Sequence, residues 1–388
     1  MNRSRNIPAL RALFDALQAG RMAEALERLA ELSDSEVIAD LWLPCVQGAV
    51  MTARGDDDTD LYAAAVEAAE RAVEVLRGPD HLARAGLIER YAGEAMHALA
   101  RHDTGTDDLL AAIDHYERAL TALRGETHRA ERAEALFRHG CALVDLADRE
   151  EDPRPSERAI AGWTEALTLV SRTGEPRLFL KIGTELGQAL ARLSAFDDDQ
   201  ERLGQAIAVL EEALTVARQP EIARSLAEAR MVLGMALLRR GKAKDDSADL
   251  DRAVAMLEAA AATFGRKDAN WGAAQNNLAI AHLVRAEGRD DPGPIRAAVA
   301  ALKRAQSTRT PRTDPRNWLG TQRNIGAALM TLAERSGDPA SAEEAVAALE
   351  LAEKQALEAE SPTLQDVREG LARARTLAVR MRATSGAS

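Results

Sequence analysis

The side chains that could do chemistry are few, and their spacing restricts what they can do. Seven histidines (His81, His97, His102, His115, His128, His139 and His282) form no metal-ligand spacing of the kind a helix presents. The chain has no Gly-rich phosphate loop ending in Lys-Ser or Lys-Thr, no Gly-x-Ser-x-Gly turn and no Cys-x-x-Cys. Cys141 and His139 pair a thiol with a base, but residues two apart on a helix point in different directions, so they read as structural. Asp56, Asp58, Asp60 and Glu67 have the one, three, five and twelve spacing of a calcium loop. Leu61 stands where that loop needs glycine, and the chain from Tyr62 onward reads as helix, so capping and solubility account for the carboxylates better. No catalytic, cofactor or metal site is expected, and the chain reads as a non-enzyme.

What must position any binding residues is a repeat. Gly48, Gly93, Gly140, Gly187, Gly234, Ala279 and Gly326 are separated by 45, 47, 47, 47, 45 and 47 residues. Beside them runs Ala65, Ala112, Ala159, Ala206, Ala253, Ala298 and Ala345, each followed by Val or Ile. Two series sharing one period imply seven repeats of two helices. The length changes fall between helices, where they disturb no packing register. Asp152, Asp199, Asp246, Asp291 and Asp338 each lie 12 residues after their small residue and mark the start of the second helix as N-caps. Helices can approach closely only where no large side chain intervenes, so glycine is retained at the crossing despite its cost of ~1 kcal/mol in helix propensity. Ala279 implies that one methyl is tolerated there.

Composition sets further bounds. Apolar residues make up 46% of the 388, enough for a continuous core, while 3% aromatics and abundant alanine predict close helix packing. A net charge of −12 argues against a nucleic-acid backbone or an anionic membrane as partner. Two cysteines make no disulfide framework, MNRSRNIPAL lacks the apolar run of a signal peptide, and no stretch approaches a membrane span. A cytoplasmic location is the expectation.

In order, residues 1–36 form a short helical hairpin, 37–360 seven longer hairpins, and 361–388 a closing Arg-rich helix over 363–382 with a disordered tail. The whole is expected to be one continuous solenoid.

The repeat resembles the tetratricopeptide repeat (TPR) superfamily. The residues that carry the resemblance are Leu186, Gly187, Ala189 and Leu190, or Ile325, Gly326, Ala328 and Leu329, in the first helix. Ala112, Ile113, Ala119 and Leu120, or Ala206, Ile207, Ala213 and Leu214, match in the second. The period departs from the usual ~34 of that family, and looks like the long bacterial TPR-type repeats found beside caspase-like proteases or in signalling proteins. The resemblance implies an all-α, right-handed superhelical solenoid of antiparallel helix pairs, with a concave face lined by first helices.

On that face the positions three before, one after and four after the small residue share one side of the helix. They give Arg90, Glu94 and His97 in repeat two, then Phe137, Cys141 and Val144, then Thr184, Gln188 and Ala191. Repeats five to seven give Met231, Met235 and Leu238, then Asn276, Ile280 and Leu283, then Arg323, Ala327 and Met330. The Met- and Leu-rich stretch, rimmed by Arg239 and Arg323, is the expected groove for an apolar peptide or amphipathic helix. Arg90, Glu94 and His97 form a secondary charged groove. In the alternative register the Met and Leu side chains are ordinary core. Gln275, Asn277, Gln322 and Asn324, following Trp271 and Trp318, read as amides bridging neighbouring repeats or as contacts to a bound peptide backbone.

Function is therefore expected to be that of a protein-interaction scaffold or adaptor. A regulatory sensor acting with an effector on a separate chain is the alternative, and an enzyme on a helical-repeat frame is a third class. The partner's identity and the oligomeric state are not legible.

Overall fold

The computed structural model describes residues 3–32, 36–216, 219–266 and 268–385. Within them the chain is all-α, with 17 α-helices, four short 3-10 turns and no strand. Cα packing divides it into two compact units, Met1–Leu193 and Ser194–Ser388. None of the helices is long and apolar enough to cross a membrane.

Unit 1 begins with α1 (Arg3–Gln18) and α2 (Met22–Glu31). Three first-and-second helix pairs follow: α3 (Glu36–Asp56) with α4 (Thr59–Val75), α5 (Leu82–Leu99) with α6 (Asp107–Ala122), and α7 (Arg129–Glu150) with α8 (Arg154–Leu169). α4 also packs on α5 and α6 on α7, and α5 packs on both α3 and α7. Most of α9 (Pro176–Asp197) completes the unit. Unit 2 holds α10 (Gln200–Ala213) and the pairs α11 (Ala223–Lys244) with α12 (Ser247–Thr263), α13 (Ala269–Ala286) with α14 (Gly293–Ala305), and α15 (Pro315–Ser336) with α16 (Pro339–Glu358). The last helix, α17 (Leu364–Ser385), lays Val367, Leu371, Ala374 and Leu377 against the core of α15 and α16. It runs past Arg382 into what the sequence reads as a tail, of which residues 386–388 lie outside the described residues.

The turns inside the pairs are built from two adjacent residues. Glu151, Asp198, Asp245 and Gly337 adopt left-handed φ values of 54°, 54°, 52° and 68° and end the preceding helix. The next residue is the capping aspartate. Asp199 accepts from the amides of Glu201 and Arg202, Asp246 from Ala248 and Asp249, and Asp338 from Ala340 and Ser341. Asp152 and Asp291 accept from Arg154 and Gly293 in the same way. Asp58 does so for Leu61, with Asp56 inside α3 and Asp60 and Glu67 inside α4. The four carboxylates are thus divided between two helices and a cap, which is not the geometry of a calcium loop.

The small residues sit where the two helices of one repeat meet. A Cβ built on Gly93 would lie 2.8 Å from the Tyr116 ring, and one on Gly140 would lie 2.4 Å from the Trp163 indole. One on Gly234 would meet Leu257 at 2.8 Å, and one on Gly326 would meet Leu349 at 2.5 Å. In every case the partner lies 23 residues on, in the second helix of the same repeat. The expectation that a methyl is generally tolerated fails at these four positions. Gly48 is different: its nearest neighbour is the flexible Met22 sulfur at 3.3 Å.

Gly140→Ala should cost the most, about 1–3 kcal/mol, because Trp163 is 1% exposed and its indole N–H is tied to the Phe137 carbonyl at 3.1 Å. Gly326→Ala should cost less, since Leu349 can change rotamer, and Gly48→Ala least. Denaturant melts of the three variants would check that order; equal losses would contradict it.

Candidate functional site

In unit 1 the first helices α3, α5, α7 and α9 enclose a polar cavity of about 440 Å³. Glu94 and His97 of the expected charged groove open onto it, as does Cys141 one repeat later. Arg90 does not. It is 8% exposed, lies over the Tyr91 ring at 4.0 Å, and reaches Glu94 from behind. The position three before the small residue turns inward in this unit, as Phe137 and Thr184 also do. The other two positions of the expected face are the ones that reach the cavity.

Glu94 is the electrostatic hub. Its carboxylate is 7% exposed and accepts from the guanidiniums of Arg54 and Arg90, with Arg138 Nε at 3.9 Å. A buried carboxylate is stable only when paired, and the three arginines come from three successive first helices. Arg138 also donates to Glu134 at 2.8 Å. Burial opposes its charge, but Glu94 and Glu134 outweigh burial and raise its pKa further. His97 Nε2 lies 2.7 Å from Asp145, and Arg101 lies 3.1 Å from Asp57.

Two groups on the cavity lack an ion-pair or hydrogen-bond partner among the described residues. Lys181 has no carboxylate within ion-pair distance among the described residues, and its ammonium lies 6.0 Å from the Phe137 ring centre. Burial, then the nearby Arg138 and Arg177, lowers its pKa. Tyr116 is fully buried, lines the cavity and has no hydrogen-bond partner for its hydroxyl. Four cationic side chains (Arg54, Arg101, Arg138 and Lys181) face two carboxylates (Glu94 and Asp145) there. The cavity is therefore suited to an anion that also accepts a hydrogen bond. The sequence reading missed Arg54, Arg101, Arg138, Lys181 and Tyr116, because they stand at different offsets from their small residues and share no repeat position.

Cys141 and His139 are inert. Burial pushes the Cys141 thiol pKa far up and the His139 pKa down to about 4, so neither thiolate nor imidazolium is available at neutral pH. His139 faces the Tyr116 ring edge-on at 6.4 Å.

In unit 2 the expected Met- and Leu-lined groove is only partly open. Leu238 is 4% exposed and belongs to the core, which corrects its assignment to the groove. Its helix packs on both α12 and α13. Met231 packs against the cluster of Ala227, Phe264 and Trp271. Leu283 and Met330 pack against the cluster around Ala279 and Ile325. Met235 and Ile280 are half-buried. Arg239 donates to the hydroxyl and carbonyl of Ser194, and Arg323 lies 3.7 Å from Asp366. Asn324 donates to Asn276 at 3.0 Å, an amide bridge between neighbouring repeats.

No protein-family model matches the chain, and no curated protein matches it in sequence. Solved structures do resemble it. A Signal Transduction ATPase with Numerous Domains (STAND) protein with a tetratricopeptide repeat sensor, from Pyrococcus horikoshii, aligns with a TM-score of 0.55 and 14% identity. The alignment covers 96% of this chain and 55% of that one, so this chain spans about half its length. The apo form of RapI aligns at 0.48 and 13% identity, covering 95% of this chain and 97% of its own. A Rap protein complexed with Competence and Sporulation Factor aligns at 0.44 and 15%, covering 97% and 99%. The fold is that of TPR-like helical repeats.

His139 supplies a pH signature. Its pKa falls from 6.5 in the exposed state to about 4 when folded. Between those values the unfolded chain takes up a proton that the folded chain refuses, so the stability contribution is whole above the upper value and is lost on acidification. His139→Gln should make stability fall less steeply across that window in chemical denaturation. An unchanged slope would mean that the ring is protonated in the fold.

Proposed function

We propose that this chain is a non-catalytic adaptor that holds an acidic segment of a partner protein or peptide in the unit 1 cavity. The observation that carries the reading is the convergence of Arg138, Lys181 and Tyr116, whose buried hydroxyl has no partner, on one cavity bordered by four consecutive first helices. An extended acidic segment can place successive carboxylates against successive helices, where one small anion would engage only part of the cation set. Lys181 and Tyr116 then gain partners that the free protein lacks, which is the differential interaction binding requires. The half-buried Met235 and Ile280 of unit 2 are the lesser candidates, since their neighbours are engaged in the core. The buried Cys45 and the inert Cys141 suit a reducing, cytoplasmic setting.

The test is fluorescence anisotropy with a labelled glutamate/alanine peptide and its glutamine/alanine counterpart. The acidic peptide should bind, weaken with added salt and lose about tenfold affinity in Lys181→Ala, as a charge-assisted contact implies. Tyr116→Phe should weaken binding while leaving the free protein as stable or more stable, because it deletes an unsatisfied buried hydroxyl. Equal binding of both peptides, or an unaltered affinity in both variants, would overturn the reading.

A further inference from the structure

A second cavity of about 570 Å³ lies in unit 2, between α14, the 306–314 turn, α15 and α16. Its walls come mainly from second helices and their connection rather than from the first-helix face described above. Two positions on its wall depart from the pattern of other repeats. Eleven residues after the repeating alanine, the chain places Leu76, Leu123, Val170 and Phe264 in repeats one, two, three and five. All four are buried, at 2%, 0%, 8% and 6% exposure, and close the end of the second helix. In repeat six the same position is Arg309. Where Phe264 packs with Trp271, Arg309 leaves the space beside Trp318 open.

Arg309 is half-buried and is not neutralised. Its Nη1 donates to Thr321 Oγ1 at 3.2 Å, and no carboxylate lies within ion-pair distance among the described residues. Burial lowers its pKa, with Asp314 only partly opposing. The nearby Lys303 is already paired with Glu344 at 2.5 Å, so one uncompensated positive charge remains on the cavity.

A second departure leaves an amide open. In repeat six, Gln275 accepts from Arg304 Nε at 3.0 Å. The equivalent pair in repeat seven is Gln322 and Leu351. Gln322 is 4% exposed, lines the cavity and has no side-chain hydrogen bond among the described residues. Trp318, Ile325, Ala348 and Leu351 supply an apolar wall beside it.

We infer that this cavity binds a monoanionic carboxylate carried on a flat or short apolar body, with Arg309 and Gln322 holding the carboxylate and Trp318 and Leu351 the apolar part. A guanidinium fork matches the planar carboxylate in two parallel hydrogen bonds, and a single surplus charge suits a monoanion better than a phosphate dianion. The same chemistry is offered by a free aryl or alkyl carboxylic acid and by a polypeptide C-terminus ending in an aromatic residue.

Isothermal titration of the full chain separates these. One arm uses phenylacetate with benzyl alcohol as the uncharged control; the other uses an acetylated peptide ending in Phe with its C-terminal amide as control. Saturable binding of phenylacetate assigns the site to small carboxylates, and binding of only the free-acid peptide assigns it to a chain terminus. Arg309→Leu restores the residue type of the other repeats, so it should keep the melting temperature while weakening binding at least about tenfold. Leu351→Arg recreates the Arg304–Gln275 pair and should likewise block the cavity. The inference is overturned if neither acid binds, if Arg309→Leu binds as tightly as the wild type, or if the acidic peptide of unit 1 displaces the bound carboxylate.

Discussion

The contact on which four of the repeats depend is the one between a glycine and the side chain 23 residues later. Tyr116, Trp163, Leu257 and Leu349 lie against Gly93, Gly140, Gly234 and Gly326 at distances a Cβ could not share. With no side chain on one helix, a large one on the other reaches the backbone, and the pair closes to the separation that alanine-rich faces require. The fixed interval follows from geometry. One residue count spans the rest of the first helix, the left-handed turn, the aspartate cap and the start of the second helix, and any change in it would rotate the partner off the glycine. In these four repeats the interval is constant. In repeat one the interval shortens by two and the glycine faces a pliable methionine from α2 instead.

That inner contact leaves the opposite side of each first helix free to diverge. In unit 1 this side has become charged, and the charge is organised around a carboxylate that cannot be left alone. Glu94 is buried, so it draws in Arg54, Arg90 and Arg138, and their guanidiniums raise the local potential. Lys181 and the Tyr116 hydroxyl share the same cavity without partners of their own. Tyr116 joins the two roles: its ring fills the space that Gly93 vacates, and the same side chain forms part of the cavity wall. The packing device and the binding surface are in that respect one side chain.

The unit 2 cavity lies where the repeat is broken. Along the glycine and alanine series the repeats are near copies, and copies close the same gaps. Arg309 in place of a buried apolar residue, and Leu351 in place of Arg304, open a gap and leave an amide and a cation facing it. A charge in such a place costs desolvation, which gives a bound anion something to relieve.

The sequence by itself determined the fold class, the helix pairs, their caps and the small residues at the crossings. These follow from local rules, since helical periodicity, an aspartate before a helix and a fixed repeat interval are all properties of neighbouring residues. It also set Glu94 and His97 on one side of their helix, because a face of one helix is set by its own spacing. What it could not determine was which residues of that face are covered by the next helix. Leu238 and Arg90 belong to the expected face by register, yet the one is buried and Tyr91 and Glu94 engage the other. Nor could it gather Arg54, Arg101, Arg138, Lys181 and Tyr116, which share no repeat position and come from four helices and a turn. Only tertiary structure decided those, because covering and convergence depend on the distance between helices, which no spacing along one chain segment encodes.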